Sequence, residues 1–361
     1  MGRPERLALS ISFAAALALR LAFFAGFSGN YDTASYEEVA RTVRGGHDPW
    51  STDRYNYSPV WAGVLVALRH VADAAGVPLA TAVGALLLAS DVASAAVLWR
   101  LGRGGPAGAR AALLFFANPV SILVSSHHRA FDGLALLLLL AALLAYRRDP
   151  APTGRVAAAL AGSLLVKHVA AFHPLLFLRT RGRRGLPPAA VAAVYAAFAA
   201  SFLPFLGAWP AIRRNVLLYG GLGGLYGTDA LLLVPGVPFW VPRVLFVAAA
   251  LGAVVVLLRR RVETARASLL LFLVTLVLLP GIGRQYFVWP IALGALFPGA
   301  GYAIYTVVAT AALVAIAGLA PSLAHLPGWY GVWWAALLWL LLEARRGSGL
   351  SKSGFGPKDH L

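Results

Sequence analysis

Apolar runs of membrane length alternate with short polar clusters along this chain. A spanning helix needs about 20 mostly apolar residues, and the first such run covers roughly residues 7–27. A polar stretch follows at once, residues 28–61, reading SGNYDTASYEEVARTVRGGHDPWSTDRYNYSPVW. Residues 58–77 start apolar but carry Arg69, His70 and Asp73, which predicts a helix lying along or dipping into the membrane face. Residues 80–100, 111–126 and 131–146 read as further crossings. The segment 156–178 reads best as two short pieces with a turn near Lys167 and His168, because that puts the basic run RTRGRRG on the opposite side from the first polar loop. Residues 187–206 and 238–258 flank a second long loop, about 207–237. Pro280, Gly281 and Gly283 break 267–297 into a hairpin with GIGRQYF at its tip, and 302–318 and 329–344 complete the pattern. The expected architecture is an all-α polytopic membrane protein with about 12 crossings. It forms a single domain over 1–346, with a Gly/Ser/Lys-rich tail, 347–361, that reads as disordered and cytoplasmic.

Continuous runs such as LALLLLLAALLA exclude a transmembrane β-barrel, whose strands alternate apolar and polar. The N-terminal run superficially resembles a signal peptide, but it lacks a small-residue cleavage site and reads as a retained helix. Composition agrees: 60% of the residues are hydrophobic and 12% charged, against roughly 25% charged in soluble domains. Cysteine is absent, so there is no disulfide and no Cys-ligated zinc. The net charge of +17 would suit nucleic acid, but Lys and Arg fall in clusters between apolar runs, as in cytoplasmic loops. The charge therefore reads as topology, and no nucleic-acid partner is expected. Both termini are expected inside, and the first polar loop outside, of a multi-pass cell-membrane protein.

This topology gathers polar groups on the outer face. Asp32 sits in the first loop; SSHHRAFD supplies His127, His128, Arg129 and Asp132; LLVKHVAAFHP supplies Lys167, His168 and His173; and PGIGRQYFVWP supplies Arg284, Gln285 and Tyr286. Ionisable groups at membrane depth are costly and mark functional sites. Each has a plainer reading. Asp32 can be a loop acid in water, the adjacent histidines can sit at the interface, and Lys167 can snorkel. Adjacent helical residues do not face one way, so one of His127 and His128 at most points into a cavity. Trp50, Tyr55, Tyr57 and Trp61 read chiefly as headgroup-level anchors, and otherwise as cavity walls. Mid-span Asp91 has Arg20 as its natural counter-charge. No HExxH motif or carboxylate cluster indicates a metal, so no cofactor is expected.

The order YDTASYEEVARTVRGGHDPW, RYNYSPVWAGVL, LLLASDVASAAVLWRLGR, FFANPVSILVSSHHRAFDGLALLLLLAAL and GSLLVKHVAAFHPLLFL resembles the GT-C superfamily of polytopic glycosyltransferases. The likeness is to the catalytic subunit of GPI mannosyltransferase I and to prokaryotic polyprenyl-phosphate-mannose-dependent mannosyltransferases. It runs in register over about residues 7–180, and QYFVWP is similar to a late outer-loop pattern of such enzymes. The resemblance implies a sugar donor on a polyprenyl phosphate, in-line inverting transfer to an acceptor hydroxyl, and Asp32 as general base. It points to mannose, and to a glycolipid, glycan or protein acceptor, and leaves open a partner subunit. The family pattern often has two acids separated by one residue; here Asn30-Tyr31-Asp32 keeps only the second.

In that chemistry a carboxylate takes the acceptor proton, and fixed cations stabilise the departing phosphate. Arg284 and Lys167 are the candidate phosphate-binding cations, with His128 or His127 as lesser ones. Asp132, Gln285, Tyr286, His168 and Tyr57 are candidate cavity residues. The competing class is a transporter or flippase of a lipid-linked or anionic substrate. Against it, no two-fold repeat is visible and the polar groups gather on one face.

Overall fold

The computed structural model describes residues 3–148, 152–179, 185–218, 226–319 and 328–349. Among them the chain is all-helical, with a single isolated bridge, Leu178 to Leu186, and no strand. Helix α1 (Arg3–Ala25) leads to a turn at Gly29, whose φ of +105° no side-chain-bearing residue adopts comfortably. Asn30 then caps α2 (Tyr31–Arg44), with Thr33 closing a reciprocal capping box. Ser58 caps α3 (Pro59–Ala75), and Pro59 stands at its first position, where a missing N–H costs nothing. Arg69 of α3 pairs with Glu37 and Asp73, tying α3 to α2 on the exposed side.

The long α4 (Leu79–Leu101) is followed by α5 (Gly105–Phe116). The Asn118-Pro119 pair ends α5, and α6 (Pro119–Ile122) resumes and widens into a π turn, Leu123–His127. Helix α7 (Asp132–Tyr146) packs against α8 (Thr153–Val166). The expected break near Lys167 and His168 is present: Lys167 is extended (φ −156°, ψ 126°), followed by a 3₁₀ turn, His168–Ala170, and the short α9 (His173–Leu176). Helix α10 (Pro188–Ala200) bends into a segment containing α11 (Trp209–Ile212). After α12 (Val241–Arg259), the expected hairpin appears as α13 (Thr264–Leu278), a 3₁₀ turn Arg284–Val288 and α14 (Trp289–Gly294). Helices α15 (Ala300–Ile316) and α16 (Gly328–Gly349) pack on each other and close the chain. Helix α16 is described as far as Gly349, with Arg346 in its last turn complementing the C-terminal dipole. The rest of the tail, and 180–184 of the basic run, lie outside the described residues.

Three described helices are individually long and apolar enough to cross a bilayer: Leu7–Ala25, Leu79–Leu101 and Val241–Arg259. Two bent pairs, Gly105–Phe116 with Pro119–His127 and Pro188–Ala200 with Leu203–Leu217, raise that number to five if each is one span. Four shorter apolar helices accompany them. The expected count of about twelve is thus not reached by length and apolarity alone, because breaks divide the apolar runs into pieces too short to span singly. Leu7 and Ile11 of α1 are 61% and 60% exposed, and Val244 and Val256 of α12 54% and 48%. Faces of this kind suit lipid, and the chain reads as a membrane protein.

Broken helices leave backbone carbonyls without an intrahelical partner, which is tolerated at membrane depth only where protein satisfies them. The Phe116 carbonyl at the end of α5 accepts from Arg20 Nε and Nη2 at 3.0 and 2.9 Å. Ser58 Oγ donates to the Leu165 carbonyl beside the α8 break, and Tyr195 Oη to the Ala171 carbonyl at 2.8 Å. Arg20 also meets Asp91 at 2.5 Å, as the lone mid-span acid suggested, and donates to Ser121 Oγ at 2.8 Å. Both charged side chains are buried, so they hold α1, α4 and the break after α5 as one unit.

Candidate functional site

Two apolar clusters form the core. A large one is built chiefly on α4, α5, α7, α13, α15 and α16, and a smaller one on α2, α3, the intervening loop and Phe131. The site lies where they meet. Asp32 and Tyr36, four residues apart on α2, share a face turned towards the π turn and the start of α7. Tyr36 Oη reaches the Arg129 carbonyl at 3.3 Å. Arg129 is left-handed (φ +58°), and its guanidinium is spent on the Phe24 and Ala80 carbonyls and the Phe27 ring, not on the site.

The Asp32 Oδ2 atom lies 3.0 Å from His128 Nε2, and the Arg284 Nε atom lies 3.1 Å from the same nitrogen. A π turn widens the helix just before His128, whose N–H bonds the Leu123 carbonyl five residues back at 2.8 Å. That extra residue aims His128 at Asp32. His127 points the other way and packs edge-on against Phe23 at 5.4 Å. Of the two histidines proposed for phosphate, one faces the site and the other faces α1.

Lys167 forms a buried ion pair with Asp132, Nζ to Oδ2 at 2.6 Å, and Trp289 Nε1 donates to Asp132 Oδ1 at 2.7 Å. The ammonium also sits over the rings of Phe131, Tyr57 and Tyr286 at 4.8, 5.1 and 5.5 Å. Tyr286 stacks on Trp289 at 4.3 Å. Lys167 is therefore committed to an acid and an aromatic box, whereas Arg284 pairs with no carboxylate among the described residues. Burial pushes the Asp32 carboxyl up; its contact with His128, by hydrogen bond and by field, and then the charges of Lys167 and Arg284 outweigh it, and the net effect holds it below the usual carboxylate range. Burial, with the nearby acids behind it, pushes the phenols of Tyr36 and Tyr57 well up, so both remain neutral O–H groups.

Other sequence candidates fall outside this constellation. The Gln285 amide folds back over Gly283. His168 has its Nδ1 buried without a hydrogen-bond partner. His173 bonds the Ser268 carbonyl at 3.2 Å and packs on Phe272, away from the site. The aromatic loop residues are not headgroup anchors. Trp50, Tyr55 and Trp61 are at most 2% exposed, and Trp61 stacks on Phe131 at 4.0 Å, because the loop folds its rings inward over the start of α7. Of the loop rings, Tyr57 comes nearest the site, within cation–π range of Lys167. Residues not singled out in the sequence also contribute: Asn30, which bonds His128; Tyr36; and Trp289. The N-x-x-T spacing at Asn30 carries a capping signal, but nothing local reveals its second partner. Among the described residues no group of three or more His, Asp or Glu side chains is close enough to hold a metal.

A hollow of about 520 Å³ shares Asn30 with the site and is lined also by Thr33, Glu37, Arg69 and Leu79 among others. The constellation presents a proton acceptor, a cation that pairs with no carboxylate among the described residues, and a floor of packed aromatic rings. That combination suits removal of a proton from a hydroxyl beside an anionic group. The chain matches no protein-family model and no curated protein.

Proposed function

We propose that the chain is an inverting glycosyltransferase that moves a sugar, mannose by resemblance, from a polyprenyl phosphate to an acceptor hydroxyl at the outer membrane face. The observation that carries this reading is a half-buried carboxylate, Asp32, sharing one histidine nitrogen with an acid-free arginine, Arg284. In the reaction the acceptor O–H proton passes to Asp32 as the oxygen bonds the anomeric carbon. The bond from that carbon to the phosphate oxygen breaks, and the phosphate leaves with the electron pair. General-base help of this kind is worth roughly 10²–10⁴-fold. Arg284 is the cation suited to the leaving phosphate, since a guanidinium grips two oxygens at once. Lys167 contributes its field at Asp32 and holds Asp132, and is less suited to bind phosphate directly. The cations supply the stabilisation that a divalent ion would otherwise give.

The reading includes a multi-pass topology of about twelve crossings with both termini cytoplasmic, which the basic clusters support. The acceptor is a glycolipid, glycan or protein. The test is transfer from radiolabelled polyprenyl-phosphate mannose, glucose and arabinose in membranes containing the chain, against membranes carrying Asp32→Asn. Signal from one donor, lost in the variant, supports the reading, and no transfer from any donor overturns it.

A further inference from the structure

The Asn30 side chain is held at both ends. Its Oδ1 accepts from the Thr33 N–H at 2.9 Å and from Thr33 Oγ1 at 3.3 Å. Its Nδ2 donates to the His128 carbonyl at 2.7 Å and faces His128 Nδ1 at 3.1 Å. Turning the amide over would set its oxygen against the His128 carbonyl and its NH₂ against the Thr33 N–H, two repulsive contacts in place of attractive ones. The orientation is thus fixed by the capping box, and the amide hydrogens face His128.

A ring nitrogen that accepts a hydrogen bond carries no hydrogen. With Nδ1 accepting, the ring hydrogen sits on Nε2, where it faces Asp32 Oδ2 at 3.0 Å. Arg284 Nε–H reaches that same nitrogen at 3.1 Å. One nitrogen cannot give its hydrogen to a carboxylate and accept from a guanidinium together. The ring can serve Asp32 or Arg284, and Asn30 decides for Asp32.

We infer that Asn30 is a positioning residue that locks His128 as the neutral ring with hydrogen on Nε2, so that His128 orients Asp32 without handing it a proton and leaves the Arg284 N–H groups for an incoming anionic oxygen. The charged surroundings of His128 are few. Asp32 faces it from α2 and Arg284 from the turn before α14, and Lys167 with Asp132 lies beyond them. On its own turn stands His127, and Arg20 and Asp91 touch Ser126 and Ser125 as a mutual ion pair. Helix α15, packed on the same turn, has no charged residue.

Asn30→Asp keeps the cap and removes the donor. Aspartate caps a helix as well as asparagine does, but it sets acceptor oxygens against both Nδ1 and the His128 carbonyl in place of the amide hydrogens. The measurement is ¹⁵N NMR of ring-labelled histidine in the full chain in lipid nanodiscs at pH 7, with the His128 signals identified by their loss in His128→Gln. Wild type is expected to give the widely separated pair of a neutral ring with hydrogen on Nε2. Asn30→Asp is expected to bring the signals together, as in a doubly protonated ring between two carboxylates. Wild-type signals showing hydrogen on Nδ1, or on both nitrogens, overturn the inference whatever the variant does; so does an Asn30→Asp chain that folds with an unchanged His128 spectrum. The catalytic part rests on the glycosyltransferase reading, and the spectrum does not. The predicted tautomer with no transfer from any donor would sink that reading alone. Transfer with the wrong tautomer would sink this inference alone. Where transfer is present, Asn30→Asp is expected to lower kcat about tenfold, the low end of what a misplaced base loses, with donor KM within about twofold.

Discussion

Asp32 and Arg284 meet on a single atom, His128 Nε2, from opposite ends of the chain. A carboxylate and a guanidinium that approach the same ring nitrogen stay close without forming a direct salt bridge. Each then keeps atoms free for a substrate. Asp32→Asn preserves shape and the contact to His128 but removes the proton acceptor. The expected outcome is loss of at least about 100-fold in transfer with unchanged thermal unfolding. Retention of as much as about a tenth of wild-type activity would remove Asp32 as base.

The pH dependence follows from the depressed Asp32 carboxyl. A carboxyl held below its unfolded value stabilises the fold above that value, and the stabilisation fades as pH falls through the folded one. As a base, Asp32 must be ionised to act. The acid limb of the kcat/KM profile is therefore expected below the ordinary carboxylate value of about 4. A limb centred above about pH 5 that vanishes in Asp32→Asn would contradict this.

Arg284 and Lys167 should separate in their effects. Arg284 leaves no buried acid behind when removed, so Arg284→Ala is expected to raise donor KM and lower kcat with little change in unfolding temperature. Lys167→Met strands Asp132 as a buried charge, held then only by Trp289, and is expected to cost about 3–5 kcal/mol. Steady-state kinetics beside thermal unfolding in detergent makes the comparison. Equal destabilisation by both substitutions would refute the division of roles.

The Arg20–Asp91 pair gives a test of architecture alone. Either single apolar replacement, Arg20→Met or Asp91→Leu, leaves one buried charge unpaired and is expected to cost about 3–5 kcal/mol. The double variant removes both charges and should regain most of that loss. Additive losses would show that the hydrogen bonds of Arg20 to the Phe116 carbonyl and Ser121, and not the ion pair, carry the contribution.

Much of the site was legible because membrane burial makes charge rare. Asp32, His128, Lys167 and Arg284 stand out against an apolar background; Pro280, Gly281 and Gly283 mark the break that brings Arg284 in, and the side required for the basic run implies the one at Lys167. Directions were harder. Which of His127 and His128 faces inward depends on a single residue of π widening, which leaves no trace in the apolar pattern. The commitment of Lys167 to Asp132 depends on α7 and α8 lying side by side with Trp289 across from them. The inward turn of Trp50 and Trp61 reverses the expectation from composition, because an aromatic ring suits a headgroup belt and a packed core equally well.

The late hairpin also has a bearing on biogenesis. Chains are made from the N-terminus, so Asp32, His128 and Asp132 leave the ribosome long before Arg284 and Trp289 arrive to hold them. A nascent chain stopped short of that hairpin inserts with its most polar pocket open on one flank. The pocket gains its last two partners only once residues 284–289 have been made and folded back onto α7.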